Sequence, residues 1–261
     1  MPDKSQHQIA DAYLASVLPS LRRAEGIWPK AVIFDLDGTL ADTAEDLATA
    51  LNAGLEEIGI EPFTVEKVRL MVGGGLQALM ERALEAREAE LEEAKREALL
   101  KRLYTLYAEN PVEKTRTYEG AEAMLEKLQE VGIVCGVCTN KPQAIAEDVL
   151  KGLELGDRFV FIQGGDTDLP KKPDPAPLVH VMEKLSAKPS QTVMVGDSTA
   201  DVQAARAASL AGIVLVSHGY SKLPASEMGG DVVIDSLPEL PRSLAVLAGR
   251  LKRAGERPAR R

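Results

Sequence analysis

The stretch VIFDLDGTL, residues 32–40, places Asp35 and Asp37 directly after an apolar run. Like charges this close repel, and a carboxylate resists leaving water unless a positive charge compensates it. A strand end followed by ordinary turn residues is the simplest interpretation. The chemical interpretation is phosphate-ester hydrolysis: Asp35 is a candidate nucleophile, and Asp37 is placed to act as acid on the leaving group and then as base on water. Gly38 permits a tight turn beside a phosphate, and we place Thr39 with it among the phosphate-binding residues.

A second acidic segment, VGDSTAD, follows a later apolar run and contains Asp197. This carboxylate is a hard oxygen ligand suited to Mg²⁺, and a cation there would compensate Asp35, Asp197 and the phosphoryl oxygens together. Four residues on, Asp201 is expected to orient a ligand or to pair with a lysine, with Ser198 supporting the site beside it. The alternative for Asp201 is a favourable negative charge at a helix N-terminus.

Two further loops carry polar groups suited to phosphate binding. In CTNKPQ, Asn140 precedes Pro142 two residues on, which predicts a helix capped by Asn140, and Thr139 offers a hydroxyl beside that helix N-terminus. We count both Thr139 and Asn140 as phosphate-binding. In LPKKPDPAP, Pro173 restrains Lys172, which can hold its ammonium on a phosphate as a point charge.

The elements that position these residues are short apolar runs alternating with helical stretches. The predicted strands are AVIF (31–34), IVCGVC (133–138), FVFI (159–162), TVMV (192–195), GIVLV (212–216) and DVVI (231–234). The predicted helices are Glu119–Val131, Gln143–Leu153, Ala176–Leu185 and Asp201–Ala208. This alternation predicts an α/β fold with a parallel sheet covered on both faces, in which ligands bind beyond the carboxyl ends of the strands.

The chain divides by pattern into a core and an insertion. Residues 44–117 contain no convincing strand, and their second half predicts one solvated helix with a packed leucine stripe, so we expect an inserted helical cap domain. The core is then 30–43 and 118–240. Residues 1–29 are expected to form an N-terminal helical extension, and 241–261 a basic C-terminal tail.

Composition excludes several classes of protein. The chain has 261 residues, 45% hydrophobic and 27% charged, with a formal net charge of −9, which argues against binding to nucleic acid or to an anionic membrane. The N-terminus lacks a secretory hydrophobic region, and we expect a cytoplasmic protein. Cys135 and Cys138 lie in a strand-like run at a separation that points them to opposite faces, so buried structural roles are favoured over redox or zinc chemistry.

With D-x-D-G-T, T-N, K-P-x-P and G-D-x-x-x-D in this order, the sequence resembles the haloacid dehalogenase superfamily, and within it the phosphoglycolate phosphatases with a helical cap. The resemblance runs from about Lys30 to Leu237. It implies a Rossmann-like core, Mg²⁺, and hydrolysis through an aspartyl-phosphate on Asp35. It also implies that Asp37 binds the metal through its backbone carbonyl, alongside Asp35 and Asp197.

The resemblance also bears on the substrate, which is expected to be a small phosphorylated metabolite. Cap residues around Arg69–Gly75 would face its non-phosphate end, and Arg69 would be a partner for a carboxylate such as that of 2-phosphoglycolate. A phosphosugar mutase of the β-phosphoglucomutase type is the main alternative within the fold. A non-catalytic phospho-acceptor domain is an alternative of a different class. A monomer and a homodimer are both compatible with the sequence.

Overall fold

The computed structural model describes residues 26–255 together with 17, 19 and 21–23. The strands are β1 (Arg22–Arg23), β2 (Gly26–Ile27), β3 (Ala31–Phe34), β4 (Ala41–Asp42), β5 (Arg116–Thr117), β6 (Val134–Cys138), β7 (Phe161–Gln163), β8 (Thr192–Gly196), β9 (Gly212–Val216) and β10 (Val232–Ile234). The α-helices are α1 (Ala44–Glu57), α2 (Val65–Arg69), α3 (Leu76–Ala86), α4 (Glu93–Glu109), α5 (Ala121–Glu130), α6 (Gln143–Gly152), α7 (Ala176–Lys184), α8 (Thr199–Ala207) and α9 (Leu240–Gly255).

The central sheet has six strands in the order β10-β9-β8-β3-β6-β7, and every neighbouring pair is parallel. Its central strands are buried on both faces because their side chains alternate between two apolar clusters. Val32 and Phe34 of β3 belong to one cluster, and Ala31 and Ile33 belong to the other. The predicted α/β fold with a parallel sheet is therefore confirmed.

The two cysteines follow the same alternation on β6. Cys135 and Cys138 are both buried and unpaired, and they lie in different apolar clusters. Burial raises the pKa of each thiol to about 12. The prediction of buried structural cysteines is confirmed.

Between β3 and β6 the chain leaves the sheet through β4 and returns through β5, two short strands that pair antiparallel. Helices α1 to α4 lie between them, and their buried side chains join the larger apolar cluster of the sheet. The single helix predicted for the second half of this insertion is wrong. The chain forms α3 and α4, and Glu88 between them adopts a left-handed φ of 51° that ends the first helix. The leucine stripe is nonetheless packed, with Leu84, Leu99 and Leu103 buried.

The C-terminal segment differs from the predicted basic tail. Residues 240–255 form α9, and Leu240, Leu244, Leu247 and Ala248 are buried along one face at helical spacing. Burial of this apolar stripe stabilises a helix in a segment whose basic residues suggested a solvated end. Residues 256–261 lie outside the described part of the chain.

The predicted helical extension over residues 1–29 lies largely outside the described residues. Where the structure describes it, residues 17, 19 and 21 are helical and Leu21 is fully buried, whereas β1 and β2 form an antiparallel hairpin, so the end of this segment is not helical. Trp28 is buried and its indole N–H donates to the carbonyl of Ser190 (3.0 Å), which ties the hairpin to the core. Among the described residues, the helices are either too short or too polar to span a lipid bilayer.

Candidate active site

Three adjacent strands of the sheet deliver polar residues to one edge. Asp35 follows β3, Thr139 follows β6, and Asp197 follows β8. The backbone N–H of Asp35 donates to the carbonyl of Val195 (2.9 Å). The β3–β8 hydrogen-bond pattern therefore continues one residue past β3 and aligns the loops that carry Asp35 and Asp197. The parallel register thus brings Asp35 together with Thr139 and Asp197, each of which lies more than 100 residues further along the chain.

Lys172 is buried between two carboxylates. Its Nζ lies 3.1 Å from Oδ1 of Asp35 and 2.7 Å from Oδ1 of Asp201, and its exposed fraction is 4%. Burial alone would lower the pKa of the ammonium, but Asp201 and Asp35 hold it well above its ordinary value, so Lys172 stays charged. Burial raises the pKa of Asp35 from 3.8 to about 6, although Lys172 opposes this shift.

Asp201 is fully buried and has both carboxylate oxygens engaged. Its Oδ1 accepts from Lys172, and its Oδ2 accepts from the backbone N–H (3.0 Å) and the hydroxyl (2.6 Å) of Ser198. Ser198 and Asp201 also form the N-terminal cap of α8. Asp201 therefore caps a helix and orients Lys172 at the same time, which combines the two interpretations drawn from the sequence.

Asp197 lies beside this group in a cradle of small residues. Its Oδ2 accepts from the backbone N–H of Tyr220 (2.8 Å), and the Thr39 hydroxyl lies 3.5 Å from its Oδ1. Gly38 adopts a φ of 78°, and a Cβ there would fall 2.5 Å from Oδ2 of Asp197. A side chain at Gly38 would therefore displace Asp197 from its position.

The carboxylates form a cluster with the chemistry of a divalent-cation site. One oxygen from each of Asp35, Asp197 and Asp201 lies within 4.8 Å of the others. Burial, together with the negative charges of Asp201 and Asp35, raises the pKa of Asp197 well above its ordinary value. Hard oxygen ligands that repel one another in this way favour a divalent cation. The side chain of Asp37, predicted as a third ligand residue, is not part of this cluster, so its expected ligand role rests on its backbone carbonyl.

Asp37 instead contacts a lysine that the sequence analysis did not place in the site. Oδ1 of Asp37 accepts from Nζ of Lys141 (2.7 Å) and from the hydroxyl of Thr43 (2.6 Å). Lys141 is 3% exposed, and its ammonium lies 4.5 Å from the centre of the Tyr107 ring. Burial would lower the pKa of Lys141, but the Asp37 carboxylate raises it above its ordinary value. The only local sign of this role was the position of Lys141 after the polar pair Thr139–Asn140.

The predicted helix cap at Asn140 is wrong. Helix α6 begins at Gln143, and Pro142 occupies the N-cap position. The side chain of Asn140 instead clamps the backbone of Lys172: its amide donates to the Lys172 carbonyl (2.9 Å), and its Oδ1 accepts from the Lys172 N–H (2.9 Å). Asn140 thus connects the two phosphate-binding loops that the sequence predicted separately.

A cavity of about 510 Å³ opens over this edge, between the carboxylates and the inserted helices. Asp35, Asp37, Thr139, Asn140, Lys141, Lys172, Asp197 and Ser198 line it on the sheet side. The glycines at 73–75 and the Arg82 side chain line it on the helical side. Arg69 is not among the lining residues, because its guanidinium pairs with Asp42 (2.9 Å).

The comparisons with known proteins agree with this geometry. The model of the haloacid dehalogenase-like hydrolase family matches residues 32–215. Phosphoglycolate phosphatase from Rhodospirillum rubrum is 41% identical over 216 residues, which cover 81% of this chain and 89% of that protein. The enzyme of the same name from Agrobacterium fabrum is 40% identical over 213 residues, with 81% and 91% covered. A crystal structure of a predicted phosphoglycolate phosphatase from Haemophilus somnus superposes with a TM-score of 0.78 at 29% identity, covering 82% of this chain and 97% of that one.

The chain therefore belongs to the haloacid dehalogenase-like hydrolases. The family predicted from the sequence, its α/β fold and its phosphatase class are confirmed. The acidic cluster could hold the divalent metal that phosphatases of this family generally use.

Proposed function

We propose that this protein hydrolyses a small phosphomonoester with Mg²⁺, through an aspartyl-phosphate on Asp35, and that its substrate is 2-phosphoglycolate. The observation that carries the proposal is the single cavity wall on which a half-buried nucleophile, a buried ammonium and a second carboxylate face the same space. Lys172 stays charged beside Asp35, which suits it to hold a phosphoryl group at the nucleophile.

The residues present fit a magnesium ion. Carboxylate oxygens of Asp35 and Asp197, with the backbone carbonyl of Asp37, would hold it, and all three are hard oxygen donors of the kind Mg²⁺ prefers. The ion would neutralise charge on the phosphoryl oxygens when bound. The raised pKa values of Asp35 and Asp197 are consistent with this assignment: burial is their main cause, neighbouring carboxylates add to it, and a bound cation would oppose both effects.

The chain's own residues then divide the reaction between them. The Asp35 carboxylate attacks phosphorus, forming an O–P bond as the bond to the leaving oxygen breaks, while Asp37 donates a proton to that oxygen. Lys172 and the Thr139 hydroxyl hold the phosphoryl oxygens. Asp37 next takes a proton from water, whose oxygen attacks phosphorus and releases phosphate from Asp35. Thr43 and Lys141 orient Asp37 for both steps through their contacts with its Oδ1.

The cavity also favours a substrate with a second negative charge. Arg82 and Lys222 line it, and no carboxylate among the described residues pairs with either. Arg82 donates to the carbonyl of Met71 (2.7 Å), which holds its guanidinium beside the cap glycines. The carboxylate of 2-phosphoglycolate would complement this charge. Arg82 therefore replaces Arg69 as our proposed carboxylate partner, and the relatives that carry the name phosphoglycolate phosphatase support the same substrate.

The proposal is tested by measuring phosphate release across small phosphomonoesters, with and without Mg²⁺. We expect 2-phosphoglycolate to be hydrolysed with a kcat/KM at least about 100-fold above that of ethyl phosphate, because only the former offers a second anion to the cationic side of the cavity. Asp35→Asn should abolish turnover, whereas the matched control Asp148→Asn, at an exposed position of α6, should not. Full activity in EDTA or in Asp35→Asn would refute the mechanism. A flat substrate profile would refute the substrate alone.

A further inference from the structure

Tyr220 lies where the core, the metal-binding carboxylate and the start of the cap meet. It follows β9 in the chain and is 4% exposed. Its backbone N–H donates to Oδ2 of Asp197 (2.8 Å). The phenol of the same residue contacts Asp42 and Thr43, the linker that leads from β4 into the inserted helices of the cap (the cap linker), so one residue contacts two parts of the site that are far apart in sequence.

The Tyr220 hydroxyl makes two hydrogen bonds, which saturate its donor and one acceptor position. It accepts from the backbone N–H of Thr43 (2.7 Å) and donates to Oδ1 of Asp42 (2.8 Å). Thr43 is fully buried, and its own hydroxyl donates to Asp37 (2.6 Å). The phenol therefore fixes the residue that in turn orients the proposed acid/base.

Asp42 passes this connection on to the cap. Nη1 of Arg69, on α2, lies 2.9 Å from both carboxylate oxygens of Asp42, and the guanidinium lies 5.2 Å from the centre of the Tyr220 ring. Burial would raise the pKa of Asp42, but hydrogen bonds from Tyr220 and Arg69 lower it below its ordinary value. Asp42 is thus held as a carboxylate between a cap arginine and a core tyrosine.

We propose that Arg69, Asp42 and Tyr220 form one positioning unit that ties the cap to Asp197 and Asp37. The unit sets the position of the cap and of both carboxylates together, because Tyr220 contacts Asp197 with its backbone and the cap linker with its hydroxyl. Tyr220 is a positioning residue, since it acts through Thr43 and Asp42. Its effect on turnover rests on the proposed hydrolysis, whereas its effect on stability does not.

The test is a double-mutant cycle of Tyr220→Phe and Arg69→Met. Each single variant should lower kcat about 10- to 100-fold, because small displacements of reacting groups have effects of this size, with KM changed less than kcat. Since either change breaks the same unit, the loss in the double variant should fall short of the product of the single losses by at least about five-fold. Arg102→Met is the matched control, because it removes an exposed cap ion pair with Glu57 that does not reach the core.

Thermal unfolding of these four chains, together with Arg102→Met and its double variant with Tyr220→Phe, gives a readout independent of activity. We expect non-additive decreases in Tm for Tyr220→Phe and Arg69→Met, and additive ones for Tyr220→Phe with Arg102→Met. If Tyr220→Phe fails to fold, Asp42→Asn takes its place in the cycle. Losses that multiply in kcat and add in Tm would overturn the proposal, as would a loss in Tyr220→Phe no larger than that in Arg102→Met. A wild type without phosphatase activity would refute the proposed function, and the Tm cycle would still decide this inference.

Discussion

Asp35→Asn should abolish turnover and yet stabilise the metal-free protein above pH 6. The pKa of Asp35 is about 6 in the folded chain against 3.8 ordinarily, because burial disfavours its charged form. The folded chain therefore holds this proton more tightly than the unfolded chain does. The stability associated with protonated Asp35 is fully present below about pH 4 and is lost as the pH rises through about 6. An asparagine does not ionise and avoids this loss.

The size of the effect follows from the two pKa values. A difference of about 2 between them corresponds to about 3 kcal/mol at high pH. The attraction of Lys172, which lies 3.1 Å from Asp35, is already included in that difference, and because asparagine only partly mimics a protonated carboxyl group we expect a net gain of about 1–3 kcal/mol. In the variant the backbone N–H of Leu36 can still donate to Oδ1 of residue 35 (2.8 Å in the wild type), and Lys172 retains its ion pair with Asp201. For a domain of this size the gain corresponds to a rise in Tm of roughly 3–10 °C.

The assay is thermal unfolding of EDTA-treated protein at pH 8 and pH 4, for wild type and Asp35→Asn. The variant should be the more stable at pH 8, and the difference should disappear at pH 4. Asp46→Asn is the control: this buried carboxylate accepts from the backbone N–H groups of Lys114 and Thr115, so the substitution should destabilise by about 1–3 kcal/mol. An Asp35→Asn chain less stable than wild type at pH 8, or a pH-independent difference, would refute the reasoning.

Three further outcomes follow from the geometry. Gly38→Ala should weaken Mg²⁺ binding by at least about 10-fold in isothermal titration, because its Cβ would meet Asp197 at 2.5 Å. Gly132→Ala, which has a similar positive φ but open space around it, should leave Mg²⁺ binding unchanged, and equal effects at both positions would contradict the steric argument. Lys141→Met should lower kcat by about 100-fold or more, since it removes the ammonium 2.7 Å from Asp37; a steady-state kcat within three-fold of wild type would exclude that role. The two cysteines, with pKa values raised to about 12, should react with a thiol reagent only after unfolding, and rapid labelling of the native protein would show that they are not buried as described.

Local pattern was enough to predict most of the sheet. AVIF and GIVLV coincide with β3 and β9, because strands buried on both faces are continuous apolar runs whatever lies beside them. The polar residues at the ends of these runs were predicted for the same reason, since parallel strands end at one edge. The C-terminal helix was missed because its stability comes from burial against the sheet, while its charged residues dominate the local composition.

Contacts between side chains that lie far apart in the sequence could not be predicted from local pattern. Lys141 lies 104 residues from Asp37, and Tyr220 lies 178 residues from Asp42. The position of Lys141 after Thr139 and Asn140 does not distinguish a buried ion pair from an exposed lysine. Arg69 was predicted to face the substrate because of its position near the cap glycines, but its side chain pairs with Asp42 and leaves Arg82 to line the cavity.

The sequence by itself determined the fold class and the acidic, threonine and lysine residues at the strand ends, because hydrophobic periodicity and turn chemistry are local properties. The tertiary structure alone decided which of these residues form ion pairs and how their pKa values shift. It placed Lys172 between Asp35 and Asp201, and it paired Asp37 with Lys141. It also connected the inserted helices to the core through the hydrogen bond of Tyr220 with Asp42. The physical reason is that pKa values and ion pairs depend on distance and burial in space, which chain packing sets and residue order does not.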